Sequence, residues 1–167
     1  MNYDRLIVYV DGASRGNPGP ASYGVCVQDK DGNVVSEIGE CLGVQTNNFA
    51  EYRALERGLQ EAVLCRAKEV QVYTDSQLVA RQFSGQYKIK NPAAREMMGR
   101  IKLLQQKIKK LTVTHILRST HEGNVRADAL ANLALDSQNS QDAQDRQNSQ
   151  KKVFPSKNKI FVQDSFF

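Results

Sequence analysis

The chain has no tryptophan, only two histidines and only three cysteines in 167 residues. Cys26, Cys41 and Cys65 are odd in number and lack both C-x-x-C and zinc-ligand spacing. That speaks against a disulfide framework or a thiolate metal site, and for reduced thiols in a cytoplasmic protein. Cys65 falls in an apolar helical stretch and is expected in the core. No apolar run approaches the ~20 residues of a membrane span, so no membrane association is expected. The opening MNYDRL lacks the charged-then-apolar order of an export signal.

What remains is the composition of a water-soluble globular domain, 40% hydrophobic and 25% charged. The net charge is +5, of which residues 1–135 carry +4 (18 Lys/Arg against 14 Asp/Glu). This mild basicity permits a polyanionic partner. Residues 5–11 read as a strand. Tyr23–Gln28 and Val34–Leu42 read as two more, joined at Asp31-Gly32-Asn33 by a hairpin turn. Thr46–Arg66 reads as a helix, because Leu55, Leu59, Ala62 and Val63 share one face. Strand Glu69–Thr74 follows, then a short helix from Asp75-Ser76 to about Phe83. A helix from Pro92 to about Lys110, strand Leu111–Leu117 and helix Asn124–Leu135 complete the series. The order β-β-β-α-β-α-α-β-α predicts an α/β fold, a five-stranded mixed sheet flanked by helices.

Residues 136–152 are rich in Gln, Asn, Ser and Asp, and read as a flexible linker with too little to bury. Residues 153–167 regain apolar character and read as a docking tail. The domain itself is 1–135.

Four carboxylates occupy odd places. Asp11 ends the first expected strand and Asp75 the fourth. If the two strands are parallel neighbours, both carboxylates lie at the edge where α/β sheets bind ligands. Glu51 lies one turn before Leu55, on the apolar side of its helix. Asp128 lies in the first turn of the last expected helix. Singly, each reads equally as a turn opener, a cap or a first-turn acid. Jointly, four carboxylates at one sheet edge repel unless a cation joins them. Oxygen-only ligands suit Mg²⁺ or Mn²⁺, and a pair of such ions can drive phosphodiester hydrolysis.

"DGASRGNPGPASYG", "TNNFAEYRAL", "YTDSQLV" and "NVRADALANLA" occur in this order, and with them residues 4–135 resemble a type 1 ribonuclease H. The resemblance implies the ribonuclease H-like fold. It also implies an endoribonuclease that hydrolyses the RNA strand of RNA–DNA hybrids, leaving 5′-phosphate and 3′-hydroxyl ends. Asp11, Glu51, Asp75 and Asp128 match the quartet that holds two Mg²⁺, with Mn²⁺ as a substitute. Thr46, Asn47 and Asn48 match the stretch that reads RNA 2′-hydroxyls in the minor groove. Gly12, Asn17, Gln77 and Asn124 match further positions at or near the hybrid. The bland alternative for these amides is turn and cap chemistry.

Two departures from the family pattern stand out. Where many members have a mobile histidine, this chain has Arg118, and His121 follows three residues later. His121 does the histidine's work from a differently shaped loop, or is an ordinary loop residue with Arg118 binding the scissile phosphate. His115, inside the fifth strand, reads as structural. The basic Trp-containing protrusion of some members is replaced by "SGQYKIKNPAAR", leaving Lys88 and Lys90 as candidate phosphate contacts. The last five residues resemble a sliding-clamp-binding peptide through Gln163, Phe166 and Phe167. The competing expectations are another replication partner, a strand docked on the domain's own sheet, a homodimer contact or a free end. Two other functions remain open at this point: a DNA-acting nuclease or transferase on the same fold, and a nucleic-acid-binding module without chemistry. The 2′-hydroxyl-reading stretch speaks against the first, the complete quartet against the second. The resemblance leaves several replication and repair tasks open: primer removal, clearance of RNA–DNA loops and, less in keeping with a family that needs a run of ribonucleotides, excision of single misincorporated ones.

Overall fold

The computed structural model describes residues 1–153. The tail expected to carry Gln163, Phe166 and Phe167 lies outside the described residues. Five strands form one sheet: β1 (Arg5–Ser14), β2 (Gly19–Asp29), β3 (Val34–Gln45), β4 (Glu69–Thr74) and β5 (Lys110–His115). Their order is β3-β2-β1-β4-β5. β1–β2 and β2–β3 pair antiparallel, β1–β4 and β4–β5 parallel. Four helices, α1 (Asn47–Leu64), α2 (Gln77–Phe83), α3 (Pro92–Gln105) and α4 (Glu122–Val153), complete the order. The predicted mixed sheet and element order are therefore the observed ones.

The period-two pattern of β1 divides the interior. Leu6, Val8 and Val10 are fully buried and join Leu55 and Leu59 of α1 and Ile101 of α3 in the main core. Tyr9, Cys26, Ile116 and Ala127 form a smaller cluster, with Ala127 contributed by α4. The helices start where the sequence offers caps. Thr46 Oγ1 accepts from Phe49 N, Ser76 Oγ from Val79 N, and Asn91 Oδ1 from Ala93 N with Pro92 in the first turn.

Several boundaries differ from the sequence reading. β1 does not end at Asp11; it runs to Ser14 because β2 continues to pair with it through Ser14 opposite Ala21. α3 stops at Gln105, so Lys107 and Lys109 lie in a turn and Lys110 opens β5. The largest difference is at 136–152. The chain there is helical to Val153 and exposed from Asp136 to Gln150, rather than an irregular linker. No Gly or Pro interrupts Asn124–Val153. Links one turn apart support the polar stretch: Gln138 Nε2 donates to Asp142 Oδ1 (2.9 Å) and Ser140 Oγ to Asp136 O (3.0 Å). The composition correctly indicated that nothing there is buried, but a stretch without Gly or Pro can still extend a helix already nucleated by packing. No described helix is long and apolar enough to cross a membrane.

Candidate active site

Pairing of β1 with β4 ends at Val10 opposite Thr74. Asp11 and Asp75 are the next residues along the chain, where the pairing of these two parallel strands stops. Glu51 enters from the second turn of α1. Its approach depends on Gly12: a Cβ there would lie 2.4 Å from the Glu51 backbone nitrogen. One ligand oxygen from each of Asp11, Glu51 and Asp75 lies within 4.8 Å of the other two. The fourth carboxylate comes by a similar close approach. Gly24, opposite Asp11 on β2, would place a Cβ 1.9 Å from Ala127 O, so α4 rests on the bare strand there. Asp128 is thereby set beside Asp11, where the two carboxyls interact. It sits in the second turn of α4 rather than the first, because the helix begins at Glu122.

The electrostatics are unfavourable for this cluster alone. Asp11 is 3% exposed and Glu51 5%. Burial, followed by the neighbouring Asp75 and Asp128, pushes the Asp11 carboxyl up to about 8, with Arg118 opposing. Burial and the charges of Asp11 and Asp75 push Glu51 well above the ordinary carboxylate range. Glu51 Oε2 is buried with no hydrogen-bond partner. An orphaned carboxylate oxygen beside two further carboxylates, all hard donors, fits a divalent cation such as Mg²⁺ or Mn²⁺. The cluster opens into a cleft of about 410 Å³.

The two candidates for the histidine role separate in space. Arg118 lines the cleft and its Nη2 lies 3.0 Å from Asp128 Oδ1. His121 is not among the lining residues. Its ring stacks on Tyr73 at 5.2 Å, Tyr73 stacks on Tyr9 at 5.4 Å, and Thr120 Oγ1 lies 3.0 Å from its Nδ1. In this structure His121 sits in a packing contact beside the cleft, next to the loop that carries Arg118. Its ring extends the small aromatic cluster and pins the loop between β5 and α4. Asn124 Nδ2 is buried with no hydrogen-bond partner. The residue is 1% exposed, and its Oδ1 accepts from Ser119 N at 2.8 Å, holding the loop that carries Arg118. His115 lies on β5 and is exposed.

The remaining candidates surround the cleft. Asn47 lines it from the first turn of α1. Asn17 Oδ1 accepts from Asn47 N at 3.1 Å, tying the β1–β2 turn to the start of α1. Thr46, Asn48 and Asn17 line an adjoining groove of about 440 Å³. Gln77 opens α2 and is exposed, next to Ser76 of the cleft wall. Lys88 and Lys90 are exposed on either side of Ile89, which lines the adjoining groove. Their loop is fixed from within, since Lys88 O accepts from Gln82 Nε2 and Ile89 O from Arg95 Nε. A charged group that sequence reasoning passed over is Arg15. It lines the cleft from the β1–β2 turn and pairs with Asp136 at 2.6 Å. Its only sequence signal was a lone basic residue within a glycine-rich turn.

Comparison with known proteins agrees with this architecture. A family model described as reverse transcriptase-like matches residues 9–134. Ribonuclease HI of Halobacterium salinarum is 42% identical over 79% of this chain, which spans 65% of that protein's length. Its crystal structure superposes with a TM-score of 0.76, covering 80% of this chain and 98% of the solved one. A bifunctional protein of Mycobacterium tuberculosis is 39% identical over 79% of this chain, which spans 36% of its length. LC11-RNase H1, solved in complex with an RNA/DNA hybrid, is 41% identical with a TM-score of 0.73, covering 79% of this chain and 97% of that one.

Proposed function

We propose a function from one premise: this chain belongs to the type 1 ribonuclease H family. It is an endoribonuclease that hydrolyses the RNA strand of RNA–DNA hybrids, leaving 5′-phosphate and 3′-hydroxyl ends. The observation that carries this reading is the convergence of Asp11, Glu51 and Asp75, with an orphaned Glu51 oxygen, at the floor of an open cleft. Asp11, Glu51, Asp75 and Asp128 would hold two Mg²⁺, or Mn²⁺ in substitution. Bound there, the ions would supply a nucleophilic water and charge stabilisation for the leaving oxygen. The protein's own share is positioning. Arg118 faces the carboxylates from the cleft wall and is the guanidinium that meets the scissile phosphate. Asn47 and Asn48, fixed by the Thr46 cap and by Asn17, read 2′-hydroxyls. Lys88, Lys90 and Gln77 contact the hybrid outside the cleft.

The setting is cytoplasmic, and the task belongs to replication or repair. The tail's partner, a sliding clamp, another replication protein or a second copy, is part of the same proposal. Pull-down of purified clamp by the full chain, compared with Phe166→Ala and Phe167→Ala, tests the clamp arm. No difference between them removes it.

The activity itself is tested with one end-labelled RNA strand in four contexts: paired to DNA, paired to RNA, single-stranded, and as a lone ribonucleotide in duplex DNA. Metal-dependent cutting of the RNA–DNA hybrid alone is expected. Cutting of plain duplex DNA would instead favour a DNA-acting nuclease. Hybrid binding without cutting, by folded protein in Mg²⁺ or Mn²⁺, would favour a binding module.

A further inference from the structure

Two arginines line the catalytic cleft, and both are held by carboxylates of the same helix. Arg118 Nη2 lies 3.0 Å from Asp128 Oδ1, and Arg15 Nη2 lies 2.6 Å from Asp136 Oδ1. Asp128 and Asp136 are eight residues apart on α4, ~12 Å along its axis. Arg15 is not a loose surface residue. Its backbone N donates to Pro20 O at 2.8 Å, closing the β1–β2 turn, and Asn17 of that turn is tied to Asn47. The turn therefore fixes where the Arg15 side chain starts, beside Ser14 on the cleft wall.

The pair with Asp136 does not account for an arginine in this place. Side-chain exposure is 40% for Arg15 and 63% for Asp136. Ion pairs that open to solvent contribute only ~0–1 kcal/mol. A guanidinium makes stronger, forked hydrogen bonds to a phosphate, and a polyanion entering a cleft floored by carboxylates needs cations at its rim. Asp136 is exposed, and among the described residues its side chain is bonded to Arg15 alone, so it is free to swing away.

We propose that Arg15 binds a phosphate of the RNA strand next to the scissile one, and that Asp136 occupies its guanidinium only until that phosphate arrives. This inference rests on the ribonuclease H reading. Arg15 and Arg118 then grip one strand at two points of the cleft that holds the metal-binding carboxylates. Asp136 makes the first exposed turn of the α4 extension a competitor for the substrate.

The test uses the full chain carrying Asp75→Asn, so that binding is read without cleavage. Hybrid affinity is measured by fluorescence anisotropy over a salt series, with duplex DNA as the control ligand. If this parent shows no preference for the hybrid, the ribonuclease reading fails, and this inference with it. With the preference present, adding Arg15→Gln is expected to weaken hybrid binding ~3–10-fold at low salt and to reduce the salt slope by about 1. Adding Asp136→Asn, which breaks the same ion pair, is expected to keep the slope and bind at least as tightly. A single neutral methylphosphonate at one RNA phosphate beside the cleavage position is expected to abolish the difference between parent and Arg15→Gln. Unchanged affinity and slope in Arg15→Gln would overturn the proposal. So would equal weakening by Asp136→Asn, or a methylphosphonate effect confined to the DNA strand.

Discussion

Asp11 and Asp75 directly follow Val10 and Thr74, the last paired residues of two adjacent parallel strands. In-register parallel strands deliver their next residues to the same edge of the sheet. With Glu51 brought in over Gly12, three ionisable groups share a space whose mutual repulsion is relieved by a bound cation or by retained protons.

A pH signature of the metal-free protein follows. The unfolded Asp11 carboxyl titrates at its ordinary value, 3.8, and the folded one at about 8. Between those values the folded chain keeps a proton that the unfolded chain has lost, so this group's contribution to stability falls as pH rises through the window. Asp11→Asn removes the loss. In chelator, the melting temperature of Asp11→Asn relative to the parent is expected to climb steadily from about pH 4 to about pH 8. A kcal/mol corresponds to about 2–4 °C in a chain of this size. Mg²⁺ must displace the same proton, so its stabilisation of the parent should grow over the same range.

Arg118 and His121 are expected to separate in a single experiment. Arg118→Ala removes the guanidinium that faces the carboxylates and should lower kcat by about 10²-fold. His121→Ala takes a ring off the stack on Tyr73. It should lower the melting temperature by the equivalent of ~1 kcal/mol while kcat stays near the parent value. Steady-state kinetics on a hybrid, with melts of both variants, check this pair.

Gly24 and Gly99 give opposite expectations for the same chemical change. A Cβ on Gly24 meets Ala127 O at 1.9 Å and would push α4, and Asp128 with it, away from Asp11. Gly24→Ala should cost several degrees of melting temperature and lower cleavage. Gly99 lies within α3 with nothing within 4 Å of its Cβ position. Gly99→Ala should raise stability by ~0.5–1 kcal/mol without touching activity. Thermal melts alongside hybrid cleavage distinguish the two.

The strand and helix order was legible because the apolar periods of β1, β4 and α1 are regular and the caps Ser76 and Asn91 stand at true helix starts. The carboxylate cluster was legible for a related reason: Glu51 interrupts an otherwise apolar face, and Asp11 interrupts an apolar strand. What escaped depended on contacts distant in sequence. Whether β1 stops at Asp11 is decided by β2, whose pairing carries it to Ser14. That the His121 ring stacks on β4 is decided by Tyr73. Arg15 became visible only when α4 extended past Leu135 and brought Asp136 to it. Composition had marked that stretch as unable to bury anything, which is true, and as a linker, which does not follow.

The most direct test of the central claim compares the parent and Asp75→Asn for cleavage and for binding of the same labelled RNA–DNA hybrid, in Mg²⁺ and in chelator. The metal-centre account predicts Mg²⁺-dependent cutting by the parent, at least 10³-fold slower cutting by Asp75→Asn, and hybrid binding kept in the variant. Cutting by Asp75→Asn at the parent rate, or cutting by the parent in chelator, would contradict it.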